Sequence, residues 1–185
     1  MREKNLHCSW VPYITPVLEA QLQVDDILVI AHVRPRAVDS TAIAFFEQTL
    51  LPITRSTGAA LVVMGDTVEM PFDDIHPCVN TRWNTENVKK CEKPKAEVAV
   101  SNGRRNGAAT GSFQDEVVFT TWAERQTPPV HFFEQWQLFC TDTTCGPEVP
   151  GTNVFGYHDT GHFNAEGAKY ITPYACSALH RWGLI

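Results

Sequence analysis

Three short apolar runs mark the parts of the chain that are predicted to form strands. Residues 25–33 enter a continuous apolar run from two acids, and residues 60–65 form a second run. A third run, Val-His-Phe-Phe-Glu, occupies residues 130–134. Continuous apolar runs of this length are typical of strands that are buried on both faces of a parallel sheet.

Apolar residues at helical spacing lie between and after these runs. The segment from residue 39 or 40 to residue 57 repeats its apolar positions every three or four residues, which predicts a helix. Segments 113–125 and 164–182 are also predicted helices, the second with Asn164 as its cap and Pro173 as a kink or register break. Strand, helix and strand with short connections predict a right-handed crossover, and therefore a three-layer α/β fold with a parallel sheet.

The regular pattern fades between residues 67 and 113, where Pro, Asn, Lys and Gly are frequent. A connection of this length within a compact domain is usually either functional or disordered, so we predict a long insertion. The chain shows no internal repeat and no second domain. Residues 1–185 are therefore predicted to form a single domain.

Composition excludes several classes of function. The chain of 185 residues is 43% hydrophobic and 19% charged, as in ordinary globular proteins. A net charge of -6 and the lack of a basic run argue against nucleic-acid binding. No apolar stretch reaches the roughly 20 residues of a membrane helix. The first residues lack the apolar segment of a signal peptide.

Cysteine spacing nevertheless points to an oxidising compartment. The six cysteines are Cys8, Cys78, Cys91, Cys140, Cys145 and Cys176. The second and third bracket a polar loop, and the fourth and fifth bracket four residues, so both pairs are predicted disulfides. Pairing these neighbours leaves the first and the last cysteine as a third pair. A zinc site is the alternative, but neither local pair has Cys-x-x-Cys spacing, and we predict no metal ion or cofactor.

The segment from Gly156 to Ala168 carries the most informative chemistry. It places Asp159 three residues ahead of His162, on a loop that leads into the last predicted helix. A carboxylate behind a histidine fixes the tautomer of the imidazole and stabilises the imidazolium that forms during acyl transfer. Ligands of parallel sheets bind at the carboxyl ends of the strands, where we expect this loop. The alternative is that both side chains only cap the helix and bind loop backbone.

The same segment, Tyr157 to Ala168, resembles the last block of the SGNH hydrolase superfamily, in which an Asp-x-x-His segment leads into a helix. More specifically, the chain resembles the SGNH domain that is fused behind the membrane domain of acyltransferase-3 proteins, which O-acetylate cell-surface polysaccharides. Further segments agree in order: residues 26–31, residues 61–73, Pro77-Cys78 with the later Cys91, and residues 138–140 with Cys145.

The resemblance implies a flavodoxin-like parallel sheet and a serine acyl-transfer reaction. It implies that His162 takes the proton of the nucleophile and that Asp159 orients His162. Arg34, which follows the first predicted strand, could stand at the oxyanion position, although a solvated charge is the favoured interpretation. The implied partners are an acyl donor, a carbohydrate acceptor and the membrane acyltransferase-3 domain, at an extracytoplasmic location.

The chain departs from the family pattern at the nucleophile. The Gly-Asp-Ser block, which lies on the first strand in the family and supplies the serine and part of the oxyanion hole, is absent from the sequence. Gly65-Asp66-Thr67 is only a superficial match, because it follows the second predicted strand. We therefore expect an N-terminally truncated domain that lacks its first strand and is inactive alone.

Two functions remain open at this point. The first is the C-terminal part of an SGNH-type domain that catalyses O-acetyl transfer to cell-surface carbohydrate, or ester hydrolysis on it. The alternative is a non-catalytic exported module with the same fold that binds carbohydrate or a partner. A zinc-stabilised intracellular protein is a weaker third hypothesis.

Overall fold

A computed structural model gives the structure of the protein. It describes residues 11–33, 40–65, 67, 91–100, 104–105, 108–109, 114–158 and 162–185. The helices are α1 (Val11–Gln21), α2 (Ser40–Phe45), α3 (Leu51–Thr57), α4 (Lys95–Val100), α5 (Gln114–Glu124) and α6 (Ala165–Arg181). The strands are β1 (Ile27–Val33), β2 (Ala60–Gly65), β3 (Lys93–Pro94), β4 (Arg104–Arg105), β5 (Ala108–Ala109), β6 (Val130–Phe133) and β7 (Thr144–Cys145).

The central sheet contains β1, β2 and β6 in that order, and both pairings are parallel. The register places Val29 beside Val62, and Val62 beside His131. The three strands coincide with the three apolar runs of the sequence. The predicted parallel α/β architecture is therefore confirmed.

The two faces of the sheet pack against different helices. Side chains alternate along a strand, so Val63 joins a cluster with Phe46 and Phe119 on one face. On the other face, Phe133 joins a cluster with Ile171 of α6. The sheet is thus the middle layer between α2, α3 and α5 on one side and α6 on the other, which confirms the three-layer prediction.

The predicted helix from residue 39 or 40 to residue 57 is interrupted by a π-helical turn at Phe46–Leu50. Pro52 follows this turn; it has no backbone N–H, and its ring would crowd the carbonyl four residues earlier. The N–H of Leu51 instead donates to the carbonyl of Phe46, five residues back. The wider turn therefore accommodates the proline while Phe46 and Leu50 stay buried.

Two other helices differ from the prediction. Helix α1 was not predicted, because Pro16 interrupts a segment with weak apolar periodicity, yet Leu18 packs against the core. Helix α6 continues through Pro173 without the predicted break. Both Pro173 and Lys169 are exposed, so water can solvate the carbonyl of Lys169, which receives no bond from the proline.

The cysteines confirm part of the predicted disulfide pattern. Cys140 and Cys145 form a disulfide five positions apart in sequence. Cys91 is also disulfide-bonded, and its predicted partner Cys78 lies outside the described residues. Cys176 is a free, exposed thiol. The predicted pairing of Cys8 with Cys176 is therefore wrong, because Cys176 lies on the solvent-exposed side of α6.

None of the helices that the structure describes combines the length and the apolar character needed to cross a membrane.

His131 connects the sheet to the end of α6. Its ring stacks on Trp182, with ring centroids 4.9 Å apart. Burial of the ring lowers the pKa of His131 from its ordinary value of 6.5. The neutral imidazole is therefore the form that the folded chain favours, because burial penalises the charged form.

We expect this histidine to make folding stability depend on pH. In the unfolded chain His131 takes up a proton near its ordinary pKa, whereas the folded chain resists protonation, so the free energy of unfolding falls as the pH drops through 6.5. Urea unfolding at neutral and mildly acidic pH measures the loss. His131→Phe should reduce the loss, and the exposed control His158→Gln should leave it unchanged. If the free energy of unfolding depends on pH equally in wild type and His131→Phe, then His131 is not the cause of the loss.

Candidate functional site

The loop with the predicted histidine is closed at its base by backbone hydrogen bonds. The N–H of His158 donates to the carbonyl of His162 over 2.7 Å. Directly outside this bond, Tyr157 and Phe163 form an antiparallel bridge. Residues 159–161 between the two histidines, including Asp159, lie outside the described residues. The structure therefore fixes the residues that flank this gap, His158 and His162.

Asn164 fastens this loop to α6. Its side-chain oxygen accepts hydrogen bonds from the N–H groups of Glu166 at 2.9 Å and Gly167 at 3.0 Å, which confirms the predicted N-cap. Its side-chain nitrogen donates to the carbonyls of Phe155 at 2.7 Å and Tyr157 at 3.1 Å. One amide thus satisfies the start of the helix and the strand-like segment that leads into the loop.

Two glycines allow the helix and the loop to touch through their backbones. A Cβ atom added at Gly167 would overlap the carbonyl oxygen of Gly156, and one added at Gly156 would overlap the ring of Phe139. The same Gly156 carbonyl accepts a hydrogen bond from the N–H of Asn164 at 3.0 Å. Close backbone approach, not helix propensity, explains the glycine in the first turn of α6.

An aromatic cluster supports the loop from below. The ring of Phe139 lies 5.0 Å from Tyr157 and 4.8 Å from Phe163, measured between centroids. Phe139 and Tyr157 are each only 1% exposed. Tyr170 extends the cluster along α6. Burial raises the pKa of Tyr170 to about 12, with smaller contributions from a hydrogen bond with Tyr174 and from the charge of Tyr174. The residues beside His162 are therefore held by a rigid, buried base.

The side chain of His162 itself is exposed. A substrate can therefore reach it, as the function of a general base requires. Asp159 and Arg34 lie outside the described residues, so the carboxylate–histidine pair and the oxyanion role of Arg34 stay predictions. The structure thus fixes only one member of the predicted site.

The carboxyl edge of the sheet contains a bridging residue that sequence reasoning missed. Gln135 follows β6, is 4% exposed, and donates from its side-chain nitrogen to the carbonyl of Gly65 at the end of β2. Thr67, just beyond β2, is 1% exposed. An enclosed hydroxyl is a poor nucleophile for an external substrate, which agrees with the interpretation of Gly65-Asp66-Thr67 as only a superficial match. A single glutamine after a strand offers no recognisable sequence signal.

A second polar feature lies near the Cys140–Cys145 disulfide. Glu92 and Glu148 line a cavity of about 90 Å³. Burial, and then the charge of Glu92, raises the pKa of Glu148. Within the described ranges, His, Cys, Asp and Glu side chains form no group of three that could hold a metal ion.

The comparisons with known proteins agree with this α/β architecture and with the loop that leads into α6. The family model of the SGNH domain (fused to AT3 domains) matches residues 8–175. The chain therefore belongs to this SGNH domain family, whose fold is flavodoxin-like. Membership defines a module related to acyl transfer or hydrolysis. No curated protein and no solved structure matches the chain.

Because of the contact between Gly156 and Gly167, the change in stability expected for Gly167→Ala is opposite to the change that helix propensity predicts. Propensity alone predicts that Gly167→Ala stabilises a helix by about 1 kcal/mol. Because the new methyl group would overlap the Gly156 carbonyl, we expect Gly167→Ala to lower the free energy of unfolding by roughly 1–3 kcal/mol. Urea unfolding measures the change. Ser177→Ala, at an exposed position of the same helix, is the control and should stay within about 0.5 kcal/mol of wild type. A stabilised Gly167→Ala would contradict the close approach.

Proposed function

We propose that this chain is the part of an SGNH acyl-transfer domain that carries the histidine base. In the first step a serine oxygen attacks the carbonyl carbon of an acetyl donor, and His162 takes the serine proton and gives it to the leaving group. In the second step an acceptor hydroxyl attacks the acetyl-serine and loses its proton to His162, which returns it to the serine. Asp159 orients the imidazole and stabilises its charged form.

One observation carries this proposal: His162 is exposed, and the described residues that flank the loop, His158 and Phe163, are held by backbone pairing and packing. The His158–His162 backbone bond closes the loop, and Asn164 ties the loop to α6. An imidazole on a fixed backbone loses little entropy when it is positioned against a reacting hydroxyl. Family membership adds the reaction class, and the acceptor that we propose is a hydroxyl of cell-surface carbohydrate, with water as the hydrolytic alternative.

The nucleophile in this proposal comes from a Gly-Asp-Ser segment outside the 185 residues. The pairing of β1 supports an additional strand beside it. Among the described strands, β1 pairs only with β2, so its second edge has no partner there. A long apolar strand with an open edge is a ready template for further pairing. A parallel strand there would end at the same edge of the sheet as β1, which is where the nucleophile is needed.

The same proposal sets the location and the partner. Disulfides form and persist in oxidising compartments, and both Cys91 and the Cys140–Cys145 pair are oxidised. This supports an extracytoplasmic location. The fusion named in the family description supports a membrane acyltransferase-3 domain as the partner that delivers the acyl group.

A second candidate is a non-catalytic exported module that binds carbohydrate. The observation that favours it is the absence of Gly-Asp-Ser from the sequence, together with the buried position of Thr67. In that module, Asp159 and His162 would not need to act as a pair.

We expect the chain by itself to hydrolyse 4-nitrophenyl acetate no faster than the buffer, because its sequence lacks the Gly-Asp-Ser block that supplies the nucleophile in the family. Release of 4-nitrophenol at neutral pH measures the rate, with His162→Ala as the matched variant. Robust turnover that His162→Ala abolishes would show that the chain contains its own nucleophile.

The carboxylate–histidine pair can be tested without turnover. A carboxylate that accepts a hydrogen bond from Nδ1 fixes the proton on that nitrogen. We therefore expect ¹⁵N NMR at alkaline pH to show His162 as the Nδ1–H tautomer, and Asp159→Asn to shift it toward Nε2–H. Asp142→Asn removes an exposed carboxylate of another loop and should change nothing. Identical His162 tautomers in wild type and Asp159→Asn would favour the non-catalytic module.

A further inference from the structure

A second cavity lies on the opposite half of α6 from the His162 loop. Its volume is about 330 Å³, and it opens between the end of β6 and the last turns of the helix. Its aromatic side-chain lining is Phe133, Tyr174 and Trp182, and its polar lining is Glu134, Ser177 and Arg181. Volumes of about 300–1,000 Å³ with mostly apolar walls and a few polar groups are typical of small-molecule sites.

Part of the apolar wall of the cavity is exposed. Tyr174 is 43% exposed, which is high for a ring that lines a concave surface. Trp182 stacks one face on His131, with centroids 4.9 Å apart. Trp182 is also one of the residues that line the cavity. A flat or branched apolar group can therefore be enclosed at this position.

The polar groups of the cavity differ in whether they already have hydrogen-bond partners within the protein. Glu134 accepts a hydrogen bond from Trp136 Nε1 at 2.9 Å and another from Gln137 Nε2 at 2.7 Å, so each of its oxygens has a donor. In the part of the chain that the structure describes, the guanidinium of Arg181 makes no hydrogen bond or ion pair. The hydroxyl of Ser177 is likewise without a partner there. Arg181 is thus the cation of the cavity that has no partner in this part of the chain, and the Ser177 hydroxyl beside it can donate a further hydrogen bond, which suits an anion.

We propose that this cavity binds a small organic carboxylate with an aromatic or branched aliphatic body. Arg181 holds the carboxylate through its planar fork of N–H groups, Ser177 donates a further hydrogen bond, and Trp182 and Tyr174 enclose the apolar body. Ser177 lies about 18 Å along α6 from Ala165, at roughly 1.5 Å per residue. The site is therefore separate from the His162 loop, and it does not rest on the proposed function.

The test is a titration of the ¹⁵N-labelled chain with 4-phenylbutyrate, followed by NMR. We expect saturable shifts of the Tyr174 and Ser177 amides and of the Trp182 indole N–H, with a Kd of about 1 mM. Arg181→Gln should weaken binding at least tenfold, while Arg125→Gln, an exposed arginine in the turn after α5, should bind as wild type. The spectra also show whether each variant is folded.

Further measurements distinguish binding through the anion contact from apolar binding alone. The neutral 4-phenylbutan-1-ol should bind at least tenfold more weakly than the acid, and Ser177→Phe, which fills the cavity, should abolish the shifts. His162→Ala should bind the acid as tightly as wild type does. The cavity proposal can therefore be overturned while the proposed function stands, and the proposed function can be overturned while the cavity proposal stands. The proposal is overturned by equal affinity for the acid and the alcohol, by equal effects of Arg181→Gln and Arg125→Gln, or by no saturable shift at ten times the expected Kd.

Discussion

The contact between the Gly156 peptide and the first turn of α6 is the constraint on which the candidate site depends. Because Gly167 has no side chain, the helix backbone reaches the Gly156 carbonyl, and Asn164 can then bond to both the helix and the loop. A Cβ atom at Gly167 would overlap the Gly156 carbonyl and separate the two segments, and one at Gly156 would displace the ring of Phe139. The position of His162 relative to the sheet follows from this approach, since the loop that carries it has its base at the same point.

The packing of α6 on the sheet places this local contact toward one edge of the sheet. Helix α6 packs along the face of β6 that carries Phe133, and Trp182, just after its carboxyl end, stacks on His131 near the start of β6. Its amino end therefore lies toward the carboxyl ends of the strands. Gln135 joins the ends of β6 and β2 at that edge. The opposite end of the same helix forms the wall of the 330 Å³ cavity. The two ends of one helix thus contribute to two separate regions, the base of the His162 loop and the wall of this cavity.

The sequence predicted the elements whose signal is local and missed those that depend on distant contacts. Strands β1, β2 and β6 appeared as apolar runs, and the cap at Asn164 was recognisable from its position before a helix. Helix α1 was missed because its weak periodicity includes Pro16, and it is held by the packing of Leu18 against the core. The π-helical turn before Pro52 and the bridge from Gln135 to Gly65 were missed because partners outside the usual helical or strand spacing define them.

The sequence by itself determined the layers of the fold, the Cys140–Cys145 disulfide, and the segment in which a histidine base should lie. These depend on periodicity and on short spacings, which a linear chain displays directly. Only the tertiary structure decided that Cys176 stays free, that Thr67 is enclosed, and that Gly156 and Gly167 meet. Burial and close approach depend on how segments that are distant in sequence pack, and no local pattern of residues encodes that packing.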